Sequence, residues 1–203
     1  MIPNKPPIIG LTGGIACGKS HLSDALREHG AVVIDADQIS RALTATGGAA
    51  LPLIRAHFGD AVFAGGELDR QKLAALVFTD KQALKTLNHI MHPLVFEEMD
   101  KQITQHADQP AVVVDLPLLY ETGFEPRCAE VWAAYVSKEE QLKRLKQRGL
   151  TQQEALQRLA SQMPAHEKAL RADYVIDTSG AREDSAREVT RLYDAFIRRY
   201  AFE

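Results

Sequence analysis

The sequence predicts an α/β protein built on a parallel sheet, and three observations carry that prediction. Short apolar, β-branched runs recur between stretches with helical periodicity. The first of these runs enters a glycine-rich turn and leaves it through Gly18-Lys19-Ser20 into a helical pattern. No internal repeat, low-complexity tract or disulfide spacing points to another class.

Taken in order, Ile8-Ile9-Gly10-Leu11-Thr12 reads as the first buried strand. From Gly13 the spacing is G-x-x-x-x-G-K-S, formed by Gly13, Gly14, Ile15, Ala16, Cys17, Gly18, Lys19 and Ser20, the phosphate-wrapping P-loop. Glycines let the backbone approach phosphates closely. A ring of N–H groups at the start of a helix then favours a polyanion. Lys19 supplies a cation for a transferring phosphoryl group, and the Ser20 hydroxyl is a magnesium ligand.

Residues 19–29 read as helix, with Leu22, Ala25 and Leu26 on one face and Gly30 as terminator. Residues 31–34 form the second strand, ending in Asp35-Ala36-Asp37. Both carboxylates then fall beyond the carboxyl end of a strand, where open α/β sheets bind ligands. The stretch 38–107 reads as helical and free of strands. Asp69 is an N-cap candidate before an apolar face of Leu73, Leu76 and Val77. Leu84, Leu87, Ile90 and Met91 carry a second stripe up to His92-Pro93, where proline predicts a break or kink before another helix to about His106. The whole stretch is read as an insertion able to cover a second substrate.

Strands follow at 111–115, 131–136 and 174–176, which makes five. Between the last two lie helices over 139–148 and 152–163, the latter opened by a capping box of Thr151 and Glu154. A final helix over 182–200 carries Ala186, Val189, Tyr193, Phe196, Ile197 and Tyr200 on one face.

Composition bounds the function. With 203 residues the chain suits one domain with an insertion, and 45% hydrophobic with 25% charged residues is ordinary for a globular protein. A net charge of −3 gives no support to a nucleic-acid or anionic-membrane partner. No apolar run reaches membrane-spanning length, and Met1-Ile2-Pro3-Asn4 with the residues after it lacks a signal peptide's apolar core, so the expected location is cytoplasmic. The seven His and the two Cys, Cys17 and Cys128, show no ligand spacing for a transition metal. Cys17 is read as a small residue filling a Gly/Ser/Ala position, the alternative being a thiol open to oxidants.

A P-loop by itself signals only a nucleoside triphosphate. No Asn-Lys-x-Asp stretch selects guanine, and the chain is short for a motor or helicase. A small-molecule kinase needs a proton acceptor, cations for the transferred charge and an acceptor pocket. Asp37, seventeen residues after Ser20, suits the first role, with a helix N-cap before Gln38 as its structural alternative. Asp35 is a second-choice base, or a group for the magnesium hydration shell or the same cap. Arg144 and Arg148, four apart on a helix, suit a flap over the phosphates; the alternative is a solvated basic face. Asp115 ends an apolar strand and is read as holding magnesium through water.

Together these pieces resemble the dephospho-CoA kinase family. The matching segments are 11–15 running into Gly18-Lys19-Ser20, Asp35-Ala36-Asp37 with Arg41, Leu68-Asp69-Arg70, His92-Pro93, Pro117-Leu118-Leu119-Tyr120-Glu121, Gln141-Leu142-Lys143-Arg144 with Arg148, Gln162, and 172–177. The resemblance implies a three-layer P-loop kinase fold: a core (about 7–37, 110–138 and 173–203), a helical CoA-binding region (about 38–109) and a small lid (about 139–172). It implies transfer of the ATP γ-phosphoryl group to the ribose 3′-hydroxyl of dephospho-CoA, with Mg2+. Asp37, Lys19 and Arg148 are then the catalytic set. The ATP contacts are Gly13 through His21 with Arg144, Arg148 and Thr178; the acceptor contacts are Asp37, Arg41, His92, Leu118 and Leu119. A monomer or weak homo-oligomer is expected. Ala16, His21 and Thr178 depart from the family's Gly, Thr and Asn, although His21 can still donate to an α-phosphate. A nucleotide kinase of the same fold and an ATP-binding regulatory module are the competing readings.

Overall fold

The computed structural model describes residues 5–200; the reading of the first four residues as part of a leaderless start lies outside that range. The chain begins β1 (Ile8–Gly13), α1 (Lys19–Glu28), β2 (Val32–Asp35), α2 (Ala36–Leu43) and α3 (Leu51–Phe58). It continues β3 (Phe63–Ala64), β4 (Glu67–Leu68), α4 (Arg70–Thr79), α5 (Lys81–Gln105) and β5 (Val112–Asp115). The remainder is β6 (Glu130–Tyr135), α6 (Lys138–Gln147), α7 (Gln152–Ala160), α8 (Ala165–Arg171), β7 (Tyr174–Asp177) and α9 (Arg182–Tyr200). Among the described residues no helix is long and apolar enough to cross a membrane. The chain divides into two compact units, one of residues 1–34 with 105–203 and one of Asp35–Thr104.

The first unit holds the expected five-stranded sheet, in the order β2-β5-β1-β6-β7. The pairings of β1 with β5, β1 with β6, and β6 with β7 are parallel. β1 is central and buried throughout, which is why it reads as a continuous apolar run rather than an alternating one. The chain leaves β1 toward β2 on one side and leaves β6 toward β7 on the other. The loop after β1 therefore opens onto the crevice where ligands bind in such sheets. Helices α1 and α9 pack together over one face, with Leu22, Leu26, Val189 and Phe196 closing on Ile9, Leu11 and Trp132. Trp132 is fully buried, meets Phe196 edge-to-face at 6.2 Å and keeps its indole N–H on Glu130 Oε2 at 2.9 Å.

The second unit is helical with one exception. Asp69 caps α4 by accepting from the N–H groups of Gln71 and Lys72, and Asp80 caps α5 through Gln82 and Ala83. Leu73 and Val77 are buried as expected, but Leu76 faces solvent. Two expectations are corrected here. The stretch 38–107 is not free of strands: β3 and β4 form a hairpin around Gly65-Gly66, both with positive φ, a two-residue turn signal present in the sequence. Pro93 does not end a helix, since α5 runs through it for 25 residues. Proline removes one backbone hydrogen bond there, and the buried row Ile90, Met91, Val95, Met99 and Ile103 holds the helix together across the gap. In the first unit, α8 stands between the expected second helix after β6 and the last strand, where no element was expected.

Candidate active site

The phosphate loop is locked before any ligand is considered. After β1, the Cys17 N–H donates to the Gly14 carbonyl at 3.1 Å and α1 starts from Gly18 at φ 78°. A Cβ on Gly13 would sit 2.9 Å from the Ala134 carbonyl oxygen of β6. One on Gly14 would sit 2.7 Å from Gln141 Nε2 and 2.9 Å from Ala165 Cβ. These glycines are thus required by the strand and helices packed around the loop as well as by close approach to phosphates. Ala16 is the one non-glycine with positive φ (62°) among the described residues, so its backbone carries the αL penalty of about 1–2 kcal/mol.

Beneath the loop lies a buried ion pair. Asp115, 2% exposed at the end of β5, accepts from Lys19 Nζ on one carboxylate oxygen and from Ser23 Oγ on the other. Lys19 and Ser23 are four apart on α1 and so share a face. The sequence reading gave Asp115 to magnesium through water; the structure gives both its oxygens protein partners, one of them Lys19. Ser23 was missed, although the four-residue spacing from Lys19 was available in the sequence. Ser20 is exposed in the first turn of α1.

Helix α6, N-capped by Ser137, grips the loop from above. Gln141, 3% exposed, donates from Nε2 to the Ile15 carbonyl at 2.6 Å. The Arg144 guanidinium donates to the Ala16 carbonyl (3.2 Å), the Thr178 carbonyl (2.6 Å) and Thr178 Oγ1 (3.4 Å), while its Nε holds Glu140 (3.0 Å). Thr178 in turn donates from Oγ1 to the Cys17 carbonyl at 2.7 Å. Arg144 therefore ties the phosphate loop to the end of β7 rather than sitting on a solvated face. Arg148 ends α6 and is exposed. The His21 ring donates from Nε2 to the Arg182 carbonyl at 2.8 Å, so that N–H is committed to the start of α9.

Among the described residues, cavities on two sides border this loop. One of about 410 Å³ is lined by Ala16, Gly18, His21, Arg144, Arg148 and Thr178 among others, and so gathers many of the candidate ATP contacts. The other, of about 550 Å³, lies under α6, α7 and the start of α8 against Gly14 and Ile15 and is lined mainly by apolar groups such as Val136, Leu159 and Met163. Polyphosphate requires cations, so the smaller cavity is the better nucleotide candidate. Cys17 is 1% exposed and burial pushes its thiol up from the usual range, which keeps it a protonated packing group. Burial also drives Cys128 up to about 12.

In the second unit, Asp37 and Arg41 lie four apart on α2, both exposed, so both carboxylate and guanidinium face one side. Asp35, not Asp37, is the helix N-cap, accepting from the Gln38 N–H at 3.0 Å. The capping alternative for Asp37 is thereby overturned. His92 is half-buried with Phe96 at 6.2 Å, and burial lowers its pKa, so the ring is neutral near pH 7. Among the remaining acceptor candidates, Leu118 is half-buried, whereas Leu119 is fully buried with its side chain under Gly10 of β1. Leu119 is a core residue, a correction to its reading as a substrate contact.

Further polar groups escaped the sequence reading. Lys168 of α8 is 0% exposed and donates to Glu121 and to the Pro117 carbonyl. Nothing in its helical neighbourhood signals a buried cation. Its partner Glu121, at the end of an apolar loop, was visible.

A P-loop over a buried Lys–Asp pair, carried by a five-stranded parallel sheet and clasped by an arginine-bearing helix, defines a P-loop kinase. A family model described as dephospho-CoA kinase matches residues 7–184. A dephospho-CoA kinase of Shouchella clausii is 44% identical over 194 residues, 94% of this chain and 97% of its own length. Among solved structures, a Thermus thermophilus protein matches with a TM-score of 0.81 at 35% identity, covering 94% of this chain and 97% of that one. The dephospho-CoA kinase of Campylobacter jejuni matches with a TM-score of 0.63 at 27% identity, covering 95% and 98%. The chain belongs to the dephospho-CoA kinase family.

Proposed function

We propose that this kinase carries the γ-phosphoryl group of ATP on the Gly13–Ser20 loop and transfers it to the ribose 3′-hydroxyl of dephospho-CoA, the last step of coenzyme A formation, with Asp37 accepting the hydroxyl proton. The observation that carries the reading is the buried Lys19–Asp115 pair beneath a loop gripped by Arg144, in a chain whose family is dephospho-CoA kinase. Lys19 stands against the phosphates, and Arg148 supplies a further cation from the lining of the cation-rich cavity. Because the transition state is loose, positioning and charge neutralisation do most of the work and the base contributes less. Asp37 removes the proton and Arg41 on the same helix face holds the acceptor's anionic part.

The residues fit magnesium. Ser20 presents an exposed hydroxyl beside Lys19, and Asp115 at the end of β5 is bonded to Lys19 and Ser23 of the same helix, so an ion that takes oxygen ligands mostly from phosphates and water needs little more from protein. Among the described residues no cluster of three or more His, Cys, Asp or Glu would hold a metal unaided. Held by the Ser20 hydroxyl together with the triphosphate, Mg2+ would supply neutralisation of phosphate charge. Asp115, whose oxygens accept from Lys19 and Ser23, would reach the ion only through water. The helical region of about 38–109 binds the acceptor and about 139–172 forms the lid, in a cytoplasmic enzyme working as a monomer or weak homo-oligomer. The test is ADP release with dephospho-CoA, adenosine, AMP, shikimate or water as acceptor. Turnover dependent on dephospho-CoA is expected; equal turnover with AMP would move the chain to the nucleotide kinases, and ATP binding without any acceptor dependence to a regulatory module.

A further inference from the structure

Helix α8 has seven residues and touches both the phosphate loop and the loop after β5 within the first unit. Its first residue, Ala165, is buried against the phosphate loop, close enough that a Cβ on Gly14 would come within 2.9 Å of Ala165 Cβ. One turn later, Lys168 reaches the loop after β5. Its Nζ donates to Glu121 Oε1 at 2.8 Å and Oε2 at 3.1 Å, and to the Pro117 carbonyl. One turn later again, the Arg171 guanidinium lies 4.2 Å from the centroid of the Tyr120 ring. Residues 165, 168 and 171 are thus a single row, with the nucleotide cradle at one end and residues 117–121 at the other.

The polar partners are used up in a way that packing alone does not need. Lys168 has three N–H donors and three acceptors. The Pro117 carbonyl takes a second bond from Thr12 Oγ1 at 3.1 Å, on the strand that leads into the phosphate loop. Glu121 Oε1 takes a second bond from the Met163 N–H at 2.8 Å, in the turn before α8. Apolar residues of similar volume commonly stabilise a core as well as such a buried pair does, so its contribution here is directional. We infer that Lys168 is a positioning residue and α8 a strut, through which nucleotide held at Gly14–Ile15 stiffens the loop 116–124 that carries Leu118. This rests on the reading of the P-loop as the ATP cradle and of Leu118 as acceptor-side. A phosphoryl transfer loses rate steeply when donor and acceptor are misplaced by about 1 Å.

Hydrogen exchange tests it directly. The amides of Thr122, Gly123 and Phe124 are bonded within the loop, to the Leu118, Tyr120 and Leu119 carbonyls, so their exchange reports its opening. In the wild-type chain, a non-hydrolysable ATP analogue with Mg2+ is expected to slow exchange of peptides over both 12–20 and 116–124, the latter by about ten-fold. In Glu121→Gln, which keeps the shape, and in Lys168→Met, slowing at 12–20 persists while slowing at 116–124 is lost, and Lys168→Arg restores part of it. The same variants raise the KM for dephospho-CoA more than they change the analogue's Kd. If Lys168→Met does not fold, Glu121→Gln decides. Protection of 116–124 that survives in the folded variants, or is missing from the wild type while 12–20 is protected, overturns the strut. No protection at 12–20 in the wild type sinks the ATP cradle itself, and the strut with it.

Discussion

The phosphate loop and the first turns of α2 carry the two halves of the proposed chemistry, and they are built in opposite ways. Every turn of the loop is held: Gln141 and Arg144 bond its carbonyls, Thr178 bonds a third, and Asp115 holds Lys19 from below. On α2, by contrast, Asp37 and Arg41 stand exposed on a helix whose cap, Asp35, is a different residue. A cradle for a polyanion must keep several N–H groups aimed at one point, which requires prior organisation by neighbours. A proton acceptor needs only one carboxylate and room for an alcohol. Damage to the first region should therefore show in stability and activity together, and damage to the second in activity alone.

Lys19→Met tests the coupled region hardest. It removes the cation from the phosphates and leaves Asp115 buried with Ser23 as its remaining named partner. We expect turnover to fall by roughly 10³-fold. Thermal unfolding should also drop, by roughly 6–12 °C, the equivalent of about 3 kcal/mol for breaking a buried pair. A large activity loss with unchanged melting would mean that the pair contributes nothing to the fold.

Asp37→Asn should separate the two effects. Turnover is expected to fall by roughly 10²–10⁴-fold, with melting within about 2 °C of wild type and nucleotide affinity retained, because an exposed carboxylate off the cap supports no packing. Unchanged turnover removes Asp37 from the base role. A melting change as large as that of Lys19→Met would show that α2 is more tightly integrated than its exposure implies.

How much of this contrast the sequence announced depends on what each residue is bonded to. The five strands were legible because a sheet covered on both faces demands unbroken apolar runs, and the P-loop because its residue types are chemically fixed by position. Asp37 was marked out by its place just beyond the second strand, and Arg41 only by the resemblance; that the two share one helix face became visible with α2 itself. The clasp was not. Gln141 and Arg144 lie more than 120 residues from the loop carbonyls they bond, those of Ile15 and Ala16, and a basic run such as Lys143-Arg144-Leu145-Lys146 looks the same whether solvated or docked. Lys168 was illegible for the same reason, its carboxylate lying 47 residues upstream. Leu119 shows the converse failure: a motif position suggested a ligand, and burial under β1 decides for the core. Pro93 shows that a local rule yields when enough apolar surface on both sides favours one continuous helix.

Arg144→Met sharpens the comparison at intermediate scale. It leaves the Ala16 and Thr178 carbonyls without their guanidinium donor, and bonds of this charge-assisted kind contribute about 1.5–3 kcal/mol. A loss of about 2 kcal/mol in stability with roughly ten-fold weaker ATP binding is expected from denaturant melts and calorimetry. Arg144→Lys should not recover either, since an ammonium cannot span the fork that reaches Ala16 and Thr178 together. Full recovery by lysine would reduce Arg144 to a point charge and return α6 to a solvated basic face.

The smallest expected effect comes from the one residue at which the rigid region is at odds with its own backbone. Ala16 holds φ at 62°, a conformation costing an L residue about 1–2 kcal/mol, while the loop around it is fixed by the bonds from Arg144 and Gln141. Ala16→Gly removes that penalty but gives the unfolded chain more freedom, which returns about 0.5–1 kcal/mol. The balance favours the variant by up to about 1 kcal/mol, or a rise of about 2–4 °C in melting temperature. Because Ala16 is buried to 7% exposure, loss of its methyl group also gives up a little packing, so the gain should fall in the lower part of that range. The cradle keeps its shape in either variant, and ATP affinity is expected to change by less than about two-fold. A fall in melting temperature would show that the methyl group's packing against Leu145 and Ala155 outweighs the strain, and that this loop is stabilised by its contacts with α6 and α7 rather than hindered by its dihedral angle.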